Sequence, residues 1–414
     1  MPCVYNVRPE RIVTTEWALR DDRAQPRLRR LAAALGQPDP PVLSAGELAE
    51  LARERGWLDE WRGRTGALRR PVDPDIVLNA FGFDETELRD RLSRHPDLRQ
   101  WLLAGQGPVA LRDSRNHLRG ENAICQTALE VHCAYGCLHA CDYCHIGSLF
   151  NIMTNLEALA DHLRGVMAAN RWCRLWKFDN LTDTIVLEPE YGASEVMVGL
   201  FAQQRDSFLL LYTKSDNVDH LLGLDHRGQT LISWSLASDT PSRLIEKRTP
   251  PMRARIAAMR RCQEAGYGVR VRLSPICPVV GWREEASEML ETLFAQVRPG
   301  VITMDVLGWM NARQMREAID LELLDPAFRD FVIQQSEPVP GRHRKHLFTH
   351  EMRRGIFRHH LDEIRRLSPR TPVSLCMETV EMWREFGPEL GMAPGNYACC
   401  CGPTSVPGHA LLPA

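Results

Sequence analysis

Chemistry concentrates first in the run Cys133-Ala134-Tyr135-Gly136-Cys137-Leu138-His139-Ala140-Cys141-Asp142-Tyr143-Cys144-His145. Cys137, Cys141 and Cys144 stand at C-x3-C-x2-C spacing, which puts three thiols on one short loop. Soft thiolates gathered in this way select zinc or iron–sulfur clusters. Structural zinc sites usually draw on two C-x2-C pairs, and no second pair occurs outside this loop. Three cysteines suit a four-iron cluster that keeps one iron open for a ligand. His132, His139 and His145 crowd the same loop and are expected to support it rather than ligate.

A second group closes the chain. Cys399, Cys400 and Cys401 are consecutive. Neighbouring side chains diverge, so at most two of the three can easily meet one centre, with help from elsewhere. Companions on offer are Cys376, Cys277, and Cys125 or Cys133. The expectation is a second iron–sulfur cluster, with Cys376, Cys399, Cys400 and Cys401 as candidate metal ligands. A redox or sulfur-relay set of thiols and an inert tail stay open beside it. Cys3, Cys173 and Cys262 read as packed small hydrophobes.

These thiols need a scaffold. The chain has 414 residues, 44% hydrophobic and 25% charged, the balance of a globular protein. Lys and Arg total 51 against 53 Asp and Glu, for a formal net charge of −2. That balance argues against a duplex-DNA partner, which calls for a basic face. The absence of a long apolar run and of an apolar core after Met1 points to the cytoplasm. Only Lys177, Lys214, Lys247 and Lys345 are lysines. Residues 1–120 read as a helical N-terminal region, with helical spacing over 45–55 and 85–94. Over 121–310, apolar runs at 123–131, 175–178, 208–214, 230–238, 268–276 and 301–307 alternate with amphipathic stretches at 155–169, 193–204, 217–223, 250–265 and 283–296. Six strands joined by helices predict parallel pairing with right-handed crossovers. The fold class is therefore α/β, a partial (β/α)6 barrel with ligands at the C-terminal strand ends. Residues 311–414 form a C-terminal α/β extension. It has a polar, irregular start over 311–346, a helix at 348–367, a strand at 373–377, a helix at 379–386 and a cysteine-rich tail.

A C-x3-C-x2-C loop after the first strand of a partial barrel resembles the radical S-adenosylmethionine (SAM) superfamily. That resemblance implies a 4Fe-4S cluster whose open iron chelates SAM, reductive cleavage to a 5′-deoxyadenosyl radical, and a reductant such as flavodoxin or ferredoxin. The segment Thr213-Lys214-Ser215-Asp216-Asn217-Val218-Asp219-His220-Leu221-Leu222 is similar to the T-K-x-x-x-V-D-x-L-L segment of the spore photoproduct lyases. Ser235-Leu236-Ala237-Ser238 resembles their S-x-x-S segment, and the likeness continues through Arg255, Pro275 and Trp282. It implies that Lys214 and Ser235 contact SAM, with Tyr143 beside the cluster. Two departures stand out. Leu181 occupies the place of the lyases' hydrogen-donating cysteine, and His145 replaces a tyrosine. A carbon radical left without a thiol could be captured by sulfide. The expectation is therefore carbon–sulfur bond formation on a nucleotide or sugar-like small molecule, in natural-product biosynthesis such as that of nucleoside antibiotics. The alternative is a spore photoproduct lyase-like DNA repair enzyme.

Overall fold

The computed structural model describes residues 3–5, 7–57, 73–96, 98, 102, 107–144, 146, 149–335 and 346–412. His145 lies outside them. Among the described residues, no helix is long and apolar enough to cross a membrane.

The central sheet has eight strands, in the order Val373–Leu375, Ile302–Val306, Gly268–Ile276, Thr230–Ser235, Phe208–Thr213, Leu175–Phe178, Ala128–Val131, Val109–Arg112. The first seven in this order are parallel, and Val109–Arg112 pairs antiparallel at the edge. All six expected barrel strands are present. Val373–Leu375, assigned to the extension, adds a seventh. The ladder stays an open curl. Its ends approach where the Ile124 amide donates to the Glu378 carbonyl at 2.8 Å.

Alternation along the fifth strand shows how the sequence chooses faces. Val269, Val271 and Leu273 are buried and apolar, whereas the interleaved positions carry Arg270, Arg272 and Ser274. Side chains two residues apart share a face. One face thus takes apolar packing under helices such as Met252–Glu264 and Trp282–Gln296, and the other is polar.

Three expectations need correction. The N-terminal region is not simply helical: Ile12–Thr15, Val42–Leu43 and Asp75–Asn79 join Leu149–Met153 and Ala134–Tyr135 in a five-stranded sheet. Apolar strands this short give no period that separates them from helix. Residues 217–223 form turns rather than a helix, because the Asn217 side-chain amide donates to the Ile185 and Glu188 carbonyls and holds the chain in a loop. The stretch 311–346 contains two helices, Ala312–Ala318 behind an Asn311–Gln314 capping box and Pro326–Gln334 capped by Asp325. Residues 336–345 of it lie outside the described residues.

The tail folds back across the N-terminal ends of the strands. Arg174 and Leu175 amides donate to the Pro403 carbonyl at 2.8 and 2.9 Å. The Cys400 amide donates to Thr303 Oγ1 at 2.9 Å, and Arg270 Nη1 reaches the Cys400 carbonyl at 2.8 Å.

Candidate active site

The thiol loop leaves the first barrel strand and is anchored twice. On one side Ala134 and Tyr135 pair antiparallel with Ile152 and Asn151. On the other, Ala140 and Cys141 pair antiparallel with Lys247 and Glu246. Gly136 turns between them at φ +119°, where an added Cβ would lie 2.4 Å from the Leu149 carbonyl oxygen. Only glycine fits that close approach. The Cys144 amide donates to the Cys141 carbonyl at 3.0 Å, closing a tight turn around Tyr143.

Cys137 is within electrostatic reach of Cys141 and Cys144. Burial and the nearby Asp183 push its thiol far above the ordinary range, so ionising it calls for a bound cation. That donor set fits a thiolate-ligated metal centre. Among the described residues, no three His, Cys, Asp or Glu side chains converge closely enough to hold a single ion. Asp183 ties the loop to the third strand. It accepts from Thr213 Oγ1 at 2.9 Å and the Lys214 amide at 2.7 Å, and lies 3.2 Å from His139 Nε2. His139 supports the loop, as expected, with Nδ1 on the Arg248 carbonyl at 2.8 Å.

Glu246 is the hub that composition concealed. It is buried, with Lys214 Nζ at 3.0 Å, Arg255 Nη1 at 2.6 Å and the Tyr143 hydroxyl donating to it. Burial opposes its charge, but Lys214 and then Arg255 outweigh that and hold the carboxyl at about 2. Lys214 Nζ also lies 5.8 Å from the Tyr143 ring centroid. Ser235, at its strand end, offers its carbonyl to Arg255 Nη1 at 3.1 Å. Tyr143, Lys214 and Ser235 therefore belong to one network around Glu246. Sequence reasoning missed Glu246 because Glu246-Lys247-Arg248 reads as an exposed charged run. The one signal was its place between two matched segments. Cys277, at the exit of the fifth strand, is buried within electrostatic reach of Glu246, Lys214 and Cys141.

The segment bearing Leu181 lies against the loop, since the Leu181 carbonyl accepts from the Gly136 amide at 3.0 Å. The tail cysteines sit elsewhere. Cys399 and Cys401 are near Cys376 and Cys125. Cys400, expected as a ligand, is turned away toward the Val271 and Val301 carbonyls, at 3.3 and 3.7 Å. The chain turns at Cys400 and Cys401, and the contacts with Val271 and Val301 set Cys400 apart from its two neighbours. Cys133 is buried at the loop's base, apart from this group, with its carbonyl accepting from Tyr191.

A three-thiol loop at the C-terminal mouth of an open α/β barrel is the arrangement of a radical SAM fold. The family model described as spore photoproduct lyase matches residues 113–318. The spore photoproduct lyase of Bacillus subtilis (strain 168) is 29% identical over 206 residues, covering 45% of this chain and 58% of the relative. The uncharacterized protein ORF301 of Acidianus two-tailed virus is 22% identical over 189 residues, covering 40% and 61%. This chain thus spans only about three fifths of the length of these relatives. A solved spore photoproduct lyase complexed with dinucleoside spore photoproduct superposes with a TM-score of 0.60 at 15% identity, covering 89% of this chain and 98% of that one. A mutant of that enzyme with bound AdoMet and dinucleoside spore photoproduct gives 0.59. Over residues 113–318 the chain is similar to the spore photoproduct lyases, and its fold is the radical SAM fold of their solved structures. These relatives give no support to sulfur insertion or antibiotic biosynthesis, and the lyase alternative fits them better.

Proposed function

We propose that this chain is a radical SAM enzyme of the lyase type, acting on a nucleotide-like substrate. Cys137, Cys141 and Cys144 would hold three corners of a 4Fe-4S cluster. When bound, the cluster and SAM supply the 5′-deoxyadenosyl radical that abstracts hydrogen. Lys214 presents its ammonium at the strand end, where it can meet the SAM carboxylate. Tyr143 and Arg255 fix Glu246, and Glu246 in turn fixes Lys214. Ser235 lies on the same strand-end rim. A flavodoxin- or ferredoxin-like reductant would deliver the electron.

The observation that carries this reading is the strand pairing of Ala140–Cys141 with Glu246–Lys247, which locks the thiol loop to the Lys214 network. The substrate class is supported by a solved spore photoproduct lyase that is complexed with dinucleoside spore photoproduct. Leu181 cannot return a hydrogen atom. Cys277, buried at the exit of the fifth strand and within electrostatic reach of Cys141 and Glu246, would do so instead. After giving its hydrogen it would be a thiyl radical, restored by one electron from the reductant and one proton. Anaerobic incubation with SAM, dithionite and a dinucleoside photoproduct tests the reading. The expected result is release of the two pyrimidine nucleosides, with Cys277→Ala diverting the product to adducts. An intact photoproduct despite SAM cleavage would exclude the substrate class, and unchanged products from Cys277→Ala would exclude the donor.

A further inference from the structure

Inside the barrel, on the side closed by the tail, four thiols from three separate stretches of chain come together. Cys125 leads into the first barrel strand, and Cys376 directly follows the strand Val373–Leu375. Their two stretches of chain meet at the Ile124–Glu378 hydrogen bond. Cys399 and Cys401, two residues apart, enter from the tail within electrostatic reach of each other. Cys376 is within electrostatic reach of both Cys401 and Cys125. Cys399 and Cys401 are buried, and Cys125 and Cys376 are partly covered.

The surroundings are built for negative charge. Arg112 Nη1 lies 3.5 Å from Cys401 Sγ, and Arg272 Nη2 lies 3.8 Å from Cys376 Sγ. Lys177 adds a third cation, 3.0 Å from Glu130. One buried polar atom beside these thiols, Arg272 Nε, has no hydrogen-bond partner. An unpaired polar group in a dry interior is costly, and a ligand with acceptor sulfurs would satisfy it.

We infer that Cys125, Cys376, Cys399 and Cys401 form a second, fully cysteine-ligated iron–sulfur site inside the barrel. A four-iron cluster spreads its ligands more widely than a single ion does. Its anionic charge with four thiolates matches the arginine and lysine lining. Cys400 is excluded, because its thiol is engaged with the Val271 and Val301 carbonyls. The inference rests on different residues from the proposed function and stands or falls separately from it.

The test uses the full chain with Cys137, Cys141 and Cys144 all changed to alanine, reconstituted anaerobically with iron and sulfide. It should still bind about four iron and four sulfide per chain, with a cluster EPR signal on reduction that SAM leaves unchanged. Adding Cys376→Ala and Cys401→Ala should abolish that iron, while Cys400→Ser should retain it. Should the multiple variants fail to fold, the wild-type protein decides by Mössbauer spectroscopy: two cluster sites are expected, only one perturbed by SAM. No iron in a folded triple variant, or a single cluster in the wild type, would overturn the inference. So would an iron-free protein whose intact mass is two hydrogens short, with the link mapping to Cys399 and Cys401.

Discussion

The two sulfur-rich regions of this molecule are built in opposite ways. At the mouth, three thiols share one loop of eight residues from Cys137 to Cys144, and the fold only has to hold that loop open. In the barrel interior, four thiols arrive from around residue 125, residue 376 and the tail, and only the closed fold brings them together. The charges differ as well. The mouth centres on a buried carboxylate, Glu246, clamped by two cations. The interior presents cations to sulfur. A local motif carries its chemistry in spacing, whereas a composite site carries it in packing.

Breaking the clamp at the mouth should have the largest effect. Glu246→Gln leaves Lys214 and the fully buried Arg255 without their counter-charge. Loss of one partner of a buried pair costs about 3–5 kcal/mol, so thermal unfolding should show a large drop in Tm. A variant as stable as wild type would mean that the network is slack. Lys214→Ala is milder for folding, because Arg255 still pairs with Glu246. It should weaken SAM binding by about 10- to 150-fold, the equivalent of a charged hydrogen bond worth about 1.5–3 kcal/mol, as read by equilibrium dialysis of the reconstituted protein. Unaltered SAM affinity would remove Lys214 from the site.

Acid should separate the clamp from the rest of the fold. Burial lowers His360 and His220 from 6.5 to about 4. Each then binds a proton more readily unfolded than folded. Stability should therefore fall as pH drops from about 6.5 toward 4, and His360→Leu should flatten that slope. Glu246, held at about 2, contributes stability that is full above about 4.5 and lost only below it, as pH falls through its folded value. Chemical denaturation at pH 7, 5.5 and 4.5 of wild type and His360→Leu isolates the ring, because Glu188, raised by burial to about 7, acts in the opposite direction over the same range in both proteins. Equal slopes in the two proteins would contradict the burial of His360. The smallest effect belongs to the odd cysteine of the tail. Cys400→Ser keeps a donor toward Val271 and should change stability by no more than about 1 kcal/mol.

Much of this was legible in the sequence. The strands Leu175–Phe178 and Gly268–Ile276 match their apolar runs residue for residue, and Ala45–Arg55 matches its helical spacing. Cys137, Cys141, Cys144, Tyr143, Lys214 and Ser235 lie on connected elements. What escaped depended on contacts between distant segments. The N-terminal strands have no period of their own and exist by pairing with Leu149–Met153. Glu246 looked solvated until Arg255 and Lys214 closed on it. Cys125 was one companion among several, and Cys400 looked equivalent to its neighbours until the turn in the tail set it against Val271 and Val301.

The central claim is that the loop thiols hold a redox-active cluster that opens SAM. Reconstituted wild-type protein, given SAM and dithionite under nitrogen, should form 5′-deoxyadenosine, and Cys141→Ala should form none above background. Equal yields from both proteins, or a wild type that binds zinc at the loop and leaves SAM intact, would contradict it.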